Sequence, residues 1–114
     1  MHELSIALAI VDVAAEEAER QGGRVVAVHL KLGALAGVVK DALVSAFGLA
    51  REGTVLNRAD LVVCEVPVVA YCPTCAGERP SESPQLLCCA TCGTPMPKII
   101  RGRELEVVAL EIEP

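Results

Sequence analysis

Two pairs of cysteines in the second half of the chain have the spacing of a metal site. Cys72 and Cys75 form the first C-x-x-C pair, thirteen residues follow, and Cys89 and Cys92 form the second pair. Four thiolates suit a tetrahedral Zn²⁺ ion, with Zn–S bonds of about 2.3 Å. Because four protein ligands leave no coordination position open, we expect a structural zinc site rather than a catalytic one.

Redox and disulfide chemistry are the alternatives for these cysteines. A redox site needs a single C-x-x-C pair, so two pairs at this separation favour a metal ion. Disulfide frameworks are typical of secreted chains. The first helical segment contains Asp12, Glu16 and Glu17, and it therefore resembles neither a signal sequence nor a basic targeting peptide. A metal site is the favoured interpretation.

Two further cysteines, Cys64 and Cys88, stand outside the two pairs. Cys88 adjoins Cys89, but a ligand set that used Cys88 would break the two-residue spacing, so we expect it to be an incidental thiol. Cys64 shares a predicted strand face with Val62 and Val66. Free cysteine often behaves as a small hydrophobic residue, and we therefore expect Cys64 to be buried.

The first three residues form a second group of candidate metal ligands. The side chain of His2 is large, so we expect Met1 to be retained with a free amine. This amine, the His2 amide and the His2 imidazole could close two chelate rings, and Glu3 could add its amide or its carboxylate. Nitrogen donors in a plane suit Ni²⁺ or Cu²⁺. The alternative is that these residues are only the poorly ordered start of a helix, where Glu3 interacts with the partial positive charge of the helix N-terminus.

Length, composition and charge limit the class of protein. The chain has 114 residues, 53% of them apolar, which is enough for one domain with a core and a small appendage. With 15 acidic and 10 basic residues the net charge is −5, so nucleic acid is not an expected partner. No apolar run reaches the roughly 18 residues of a membrane span. We expect a soluble, cytoplasmic protein that does not bind membranes.

The elements that must position these groups follow from the hydrophobic pattern. Apolar residues recur at helical spacing over 4–21 and 39–50, and they alternate as in a strand over 26–32 and 108–113. Residues 61–69 indicate another strand, mostly apolar on both faces. Leu105 and Val107 lie in the opposite phase to the last strand, which indicates a bulge or a strand covered on both sides. The predicted order is helix, strand, helix, strand, cysteine segment, strand. The expected fold class is α+β, with two helices packed on a three-stranded sheet.

The cysteine segment, residues 70–99, has a composition of its own. It holds five of the six cysteines and lies between two predicted strands. We expect it to be a zinc-ribbon-like domain with four cysteine ligands, inserted before the last strand of the sheet. Residues 1–69 plus 100–114 then form the α+β domain, and the metal supplies most of the folding energy of the insert.

Four segments of the sequence occur together and in this order: MHELSIALAI, VHLKLGALAGV, the paired C-x-x-C motifs and GRELEVVALEIE. Their combination resembles the HypA/HybF family of nickel metallochaperones. The resemblance implies a nickel-binding α+β domain with a zinc domain inserted before its last strand. It also implies that His2 is the indispensable nickel ligand with Glu3 beside it, and that the zinc ligands are Cys72, Cys75, Cys89 and Cys92.

The resemblance further implies a function and partners. A member of this family carries Ni²⁺ for maturation of nickel–iron hydrogenase, in some organisms also of urease. It works with a maturation GTPase and docks on the precursor of the hydrogenase large subunit. We therefore predict a nickel carrier that is not an enzyme, and whether it acts as a homodimer stays open.

Two rival functions remain. A zinc-ribbon adaptor would bind protein or nucleic acid and ignore nickel. An enzyme is the weaker rival, because two histidines cannot supply a Ser-His-acid set together with an open metal site. The GALAG segment at 33–37 has glycines but lacks the lysine and the serine or threonine of a nucleotide-binding loop.

Overall fold

A computed structural model of the protein describes residues 2–114. Its helices and strands, in chain order, are α1 Glu3–Gln21, β1 Arg24–Gly33, α2 Lys40–Ala50, β2 Asp60–Val66, β3 Val69–Cys72, β4 Gly77–Pro80, β5 Ile99–Arg101 and β6 Leu105–Glu113. The predicted order of two helices and three strands around the cysteine segment is confirmed. No helix within residues 2–114 has both the length and the hydropathy that crossing a membrane requires.

The chain forms two compact units. The first comprises residues up to Leu30 together with Val38–Cys64 and Glu106–Pro114, and the second comprises Lys31–Gly37 and Glu65–Leu105. Each unit contains a hydrophobic core of its own. The assignment of 1–69 plus 100–114 to nickel and of 70–99 to zinc stays a prediction.

Helix α1 packs one apolar face on the core of the first unit. The buried positions recur at helical spacing and include Ala7, Ile10, Val11, Ala14 and Ala18. The helix ends at Gly22, which has φ 71° and, lacking a Cβ, adopts this left-handed cap without strain. The covered face is narrow, since the exposed apolar residues of α1 include Leu4, Leu8 and Val13.

Strands β2, β1 and β6 form the predicted three-stranded sheet, in that order. The core of the first unit lies between this sheet and the helices, and it combines Val25, Val28 and Leu30 of β1 with Leu43 and Phe47 of α2. Both helices contribute to this core, so the α+β layer has the predicted form.

One residue of the helical pattern over 39–50 and the cysteine predicted to be buried are both exposed. Val39 precedes the first turn of α2 as its N-cap residue, and its side chain is 62% exposed. Cys64 is exposed because the helices cover only one face of the sheet. Leu61 packs on that covered face, and Cys64, three residues further along the strand, therefore lies on the opposite face. The predicted burial of Cys64 is wrong.

The second unit contains a sheet that the sequence pattern did not predict. Its strand order is β4-β3-β5, and both pairings are antiparallel. One face of β3 carries Ala70 and Cys72, which are fully buried against Cys89 and Met96. This small apolar cluster includes two of the four paired cysteines, so the folding of this sheet and the geometry of the metal site depend on each other.

A close approach between two backbone segments completes the second unit. A Cβ on Gly33 would lie only 2.2 Å from the Gly102 carbonyl oxygen, so a side chain there would force the backbone of the turn to move. Gly102 has φ 122°, and the Glu104 carboxylate accepts its N–H at 2.8 Å. Backbone N–H groups of Glu104 itself and of Gly102 lower the pKa of this carboxyl.

Candidate metal centre

The four paired cysteines come together at one point of the second unit. Their Sγ atoms all lie within 4.8 Å of one another. The Cys92 Sγ is 3.5 Å from that of Cys72 and 3.7 Å from that of Cys75, and the Cys75 and Cys89 sulfurs are 4.0 Å apart. A tetrahedron with Zn–S bonds of about 2.3 Å has S–S edges of about 3.8 Å. The cluster fits a structural Zn²⁺ site.

Two tight turns aim these sulfurs inward. Cys72 ends β3, and its Sγ accepts the Cys75 N–H at 3.3 Å, while the Cys89 Sγ accepts the Thr91 N–H at 3.4 Å. Gly93 has φ 77° and donates its N–H to the Cys89 carbonyl at 2.8 Å. The glycine therefore allows the reversal of the chain after the second pair.

The cluster is unevenly exposed. Cys72 and Cys89 are buried, Cys75 is half-buried, and Cys92 faces solvent. Cys88 is half-buried and does not belong to the group of four, although it adjoins Cys89. Its backbone instead pairs with Pro95 in an isolated antiparallel bridge. The structure thus brings Cys89, and not Cys88, together with the other three paired cysteines, and the role of Cys89 as a zinc ligand stays a prediction.

A pair of threonines beside the cluster is a feature that the sequence analysis missed. Thr94 Oγ1 lies 3.1 Å from Cys92 Sγ and 2.9 Å from Thr74 Oγ1. Thr74 stands inside the first C-x-x-C motif, and Thr94 follows the second by two residues. A threonine within or just after each C-x-x-C turn could have indicated this pair, because groups that hydrogen-bond to metal ligands commonly orient them.

The thiols of the cluster differ in acidity. The Thr94 hydroxyl and backbone N–H lower the pKa of Cys92 to about 6. Hydrogen bonds with the neighbouring thiols of Cys92 and Cys72 raise the pKa of Cys75 to about 12. Thiolates this close together repel one another, and this repulsion opposes the loss of every proton from the cluster. A bound divalent cation would remove this repulsion and replace the protons.

The predicted nickel residues lie at the start of α1. His2 is exposed and is the N-cap residue of the helix, with φ −105° and ψ 16°, and its side chain makes no capping hydrogen bond. Its carbonyl accepts the N–H of Ile6 at 3.0 Å. The first backbone N–H that donates within the helix is thus that of Ile6. The backbone N–H groups of His2 and Glu3 lie before it and are not needed for the ladder of backbone hydrogen bonds along the helix. The predicted Met1 amine donor lies outside the described residues.

Glu3 differs from its neighbour in being buried. Its relative exposure is 8%, and it is the only buried charged residue among residues 2–114. One carboxylate oxygen, Oε2, accepts the backbone N–H of Val39 at 3.3 Å. The carboxylate of Glu3 thus contacts the beginning of α2, thirty-six residues further along the chain, whereas the His2 imidazole faces solvent.

The fold and the two groups of residues define a class of protein. An α+β unit with an exposed amino-terminal histidine and a second unit with a closed four-cysteine cluster form a small metal-binding protein. Four sulfurs occupy every position of a tetrahedral zinc site, so the cluster itself leaves no position for a substrate.

Comparison with known proteins identifies the family. Residues 1–112 match the family described as hydrogenase/urease nickel incorporation, metallochaperone, HypA. The hydrogenase maturation factor HypA of Chloroflexus aurantiacus is 53% identical over 112 residues, which are 97% of this chain and 98% of that protein. The corresponding protein of Roseiflexus sp. is 45% identical over 114 residues, with 99% and 93% covered. This chain belongs to the HypA family of nickel metallochaperones.

Solved structures share the fold. The solution structure of the Ni metallochaperone HypA from Helicobacter pylori has a TM-score of 0.66 and 24% identity, and the match covers 98% of this chain and 97% of that one. A second solution structure of HypA protein has a TM-score of 0.72 at 24% identity, with 99% and 97% covered. The resemblance seen in the four sequence segments is confirmed.

Proposed function

We propose that this chain binds Ni²⁺ at its amino end and delivers it during maturation of nickel–iron hydrogenase, without catalysing a reaction. The observation that carries the proposal is the exposed His2 imidazole at the N-cap of α1, in a chain of the nickel metallochaperone family. The donors would be the Met1 amine, the His2 amide and imidazole Nδ1, and a group of Glu3. Nitrogen donors in a plane suit Ni²⁺.

The position of these amides supports such a chelate. A backbone amide must lose its proton to bind the metal as an anion. Since the first backbone-to-backbone bond of α1 is donated by the Ile6 N–H, deprotonation at His2 or Glu3 breaks no hydrogen bond of that ladder. The amino end of a helix also carries a partial positive charge, which stabilises a negative charge placed there.

An exposed site of this kind suits a carrier. Delivery requires that a partner replace the ligands one by one, and solvent-exposed donors are open to such an exchange. The four cysteines, Cys72, Cys75, Cys89 and Cys92, would hold Zn²⁺ in a closed structural site. The zinc would supply folding energy to the small sheet and take no part in the transfer.

Membership in a maturation family implies partner proteins in that pathway. We propose that they are a maturation GTPase, which works with this chain in nickel transfer, and the precursor of the hydrogenase large subunit, on which the chain docks. Both would be met in the cytoplasm. A homodimer remains a further arrangement in which the carrier could act.

Nickel titration of four matched proteins tests the proposal. They are the tag-free wild type, His2→Ala, a version lengthened by one residue before Met1, and His29→Ala as control. His29 is the only other histidine and pairs with Glu111 at 2.7 Å in the sheet. We expect His2→Ala and the lengthened chain to lose tight, planar nickel binding, and His29→Ala to retain it.

Equal nickel binding by wild type and His2→Ala would contradict the proposal. The chain would then act as the zinc-ribbon adaptor of the alternative interpretation, and nickel would bind elsewhere or adventitiously. Loss of binding in His2→Ala but not in the lengthened chain would retain the histidine as a ligand and remove the terminal amine from the donor set.

A further inference from the structure

Helix α2 begins without a capping side chain of its own. Its N-cap residue is Val39, whose backbone is extended at φ −84° and ψ 119° and whose side chain makes no capping hydrogen bond. The first N–H groups of any helix have no intrahelical acceptor and need one from elsewhere. At Val39 this acceptor is the carboxylate of Glu3, at 3.3 Å.

Glu3 is well suited to this task. It lies in the first turn of α1, and the two helices are in contact. The carboxylate is negative and lies at the positive end of α2, which is a favourable arrangement for both groups. Its burial, with only 8% of the residue exposed, keeps competing water away. The contact therefore fastens the beginning of α1 to the beginning of α2.

We propose that Glu3 is a positioning residue of the nickel site, and that its carboxylate holds the His2 backbone against α2 and does not ligate the metal. This inference rests on the proposed nickel site. It means that the only atom of Glu3 that could bind nickel is its backbone amide nitrogen. A carboxylate that turned to nickel would leave the Val39 N–H without this acceptor at a part-buried place, which costs free energy. The oxygen Oε2 cannot both keep the Val39 N–H and turn to nickel, and the burial of the residue holds the side chain against α2.

The consequence for nickel is geometric. His2 directly precedes Glu3, so a fixed Glu3 side chain also fixes the direction of the His2 backbone and of its amide. A planar chelate requires the amide and imidazole nitrogens to point at one centre. Residues that orient metal ligands in this way commonly change metal affinity or activity 10- to 100-fold when they are replaced.

The test compares Glu3→Gln, Glu3→Ala and the control Glu16→Gln, which removes an exposed carboxylate from the same helix. Glutamine keeps an oxygen acceptor for Val39, and alanine has none. We expect Glu3→Ala to release nickel to a chelator roughly tenfold faster than wild type. Glu3→Gln should behave nearly as wild type, and all three should retain the absorption band of planar nickel at one wavelength.

Hydrogen exchange at the Val39 amide provides the second readout. In nickel-free protein we expect this amide to exchange faster in Glu3→Ala than in wild type and Glu16→Gln. In wild type, loading with Ni²⁺ should leave its protection unchanged or raise it. This readout reports the contact itself and remains informative if Glu3→Ala is less stable than the other variants.

Three results would overturn the inference. Loss of Val39 protection on nickel loading, or a shifted nickel band in both Glu3 variants, would make the carboxylate a ligand. An unchanged release rate in folded Glu3→Ala would reduce the contact to a purely structural one. If the proposed nickel site is itself wrong, His2→Ala and wild type will bind nickel equally well. Hydrogen exchange at Val39 in nickel-free protein then still reports whether the contact with Glu3 exists.

Discussion

The hydroxyl of Thr94 lies 3.1 Å from the sulfur of Cys92, the most exposed of the four clustered thiols. A second hydroxyl, that of Thr74, lies 2.9 Å from Thr94 and links the two knuckles on the solvent side. The buried thiols of Cys72 and Cys89 are shielded by the small sheet instead. The threonine pair therefore supports the part of the zinc site that water reaches.

Replacement of Thr94 by valine should weaken zinc retention in acid. The Thr94 hydroxyl and backbone N–H lower the pKa of Cys92 to about 6, so the thiolate persists to lower pH than an ordinary thiol. Without the hydroxyl the pKa rises, protons compete for the sulfur at higher pH, and the midpoint of zinc loss shifts upward. Zinc release to a colorimetric chelator, measured from pH 8 down to about pH 4, gives this midpoint.

Thr91→Val is the matched control for the Thr94 variant. Thr91 stands between Cys89 and Cys92, and it is its backbone N–H, not its hydroxyl, that donates to a cluster sulfur. We expect its midpoint of zinc loss to equal that of wild type. Equal shifts in both variants would show that the fold of the knuckle, and not the hydroxyl beside Cys92, determines the acid response.

The adjacent thiols of Cys88 and Cys89 should differ sharply in their importance. Cys89→Ser removes one of the four sulfurs and leaves a buried hydroxyl, so we expect loss of bound zinc and of the β4-β3-β5 sheet. Cys88→Ser should keep one zinc per chain, because this thiol lies outside the cluster. Metal analysis by mass spectrometry checks the stoichiometry.

Amide exchange in the same two variants locates the effect. Loss of protection in Cys89→Ser should be confined to strands such as Val69–Cys72, while α1 stays protected by the core of the first unit. Zinc bound equally well by both variants would contradict the assignment of Cys89 as a ligand and would favour exchange between the neighbouring thiols.

Two leucines of α2 allow a matched test of the core. Leu43 is fully buried, whereas Leu49 in the same helix is 67% exposed. Replacing a buried leucine by alanine removes packing and leaves a cavity, so Leu43→Ala should lower the free energy of unfolding by about 2–5 kcal/mol. Leu49→Ala should change it by about 0.5 kcal/mol or less. Urea titration of both variants, with zinc present, measures the difference.

Two glycines should respond to alanine in opposite ways. A Cβ at Gly48 meets no atom within 4 Å, and this residue lies within α2, so Gly48→Ala should stabilise the protein by about 0.5–1 kcal/mol. At Gly33 the Cβ would lie 2.2 Å from the Gly102 carbonyl oxygen, and the turn must move. We expect Gly33→Ala to lower the melting temperature and Gly48→Ala to raise it. Scanning calorimetry compares them, and equal melting temperatures would contradict the close approach.

Local patterns in the sequence were sufficient for much of the fold and for the cysteine cluster. The ligand spacing of a knuckle is a property of a few consecutive residues, so spacing alone was enough to distinguish Cys89 from Cys88. Helix α1 and its stop at Gly22 likewise follow from periodicity and from the conformational freedom of glycine. Strand β1 and the end of β6 could be recognised by alternation, and β2 by a short run that is mostly apolar on both faces.

The exposure of Cys64 and of Val39 depended on the tertiary structure. Alternation shows that a strand has two faces, but it does not show which of them the helices cover. Cys64 lies on the uncovered face. Helical spacing likewise places Val39 in line with Leu43, although Val39 precedes the first turn and is exposed. Burial is decided by neighbours from other parts of the chain, which local spacing does not describe.

By itself, the sequence determined which residues offer metal-binding atoms: the histidine and glutamate at the amino end, and four cysteines in two pairs. Only the tertiary structure decided what surrounds these atoms, because the partners come from distant positions. Glu3 meets the Val39 amide thirty-six residues away, and Thr94 meets both Cys92 and the distant Thr74. A short spacing can be inferred from local geometry, whereas a contact between remote segments forms only when the whole core packs.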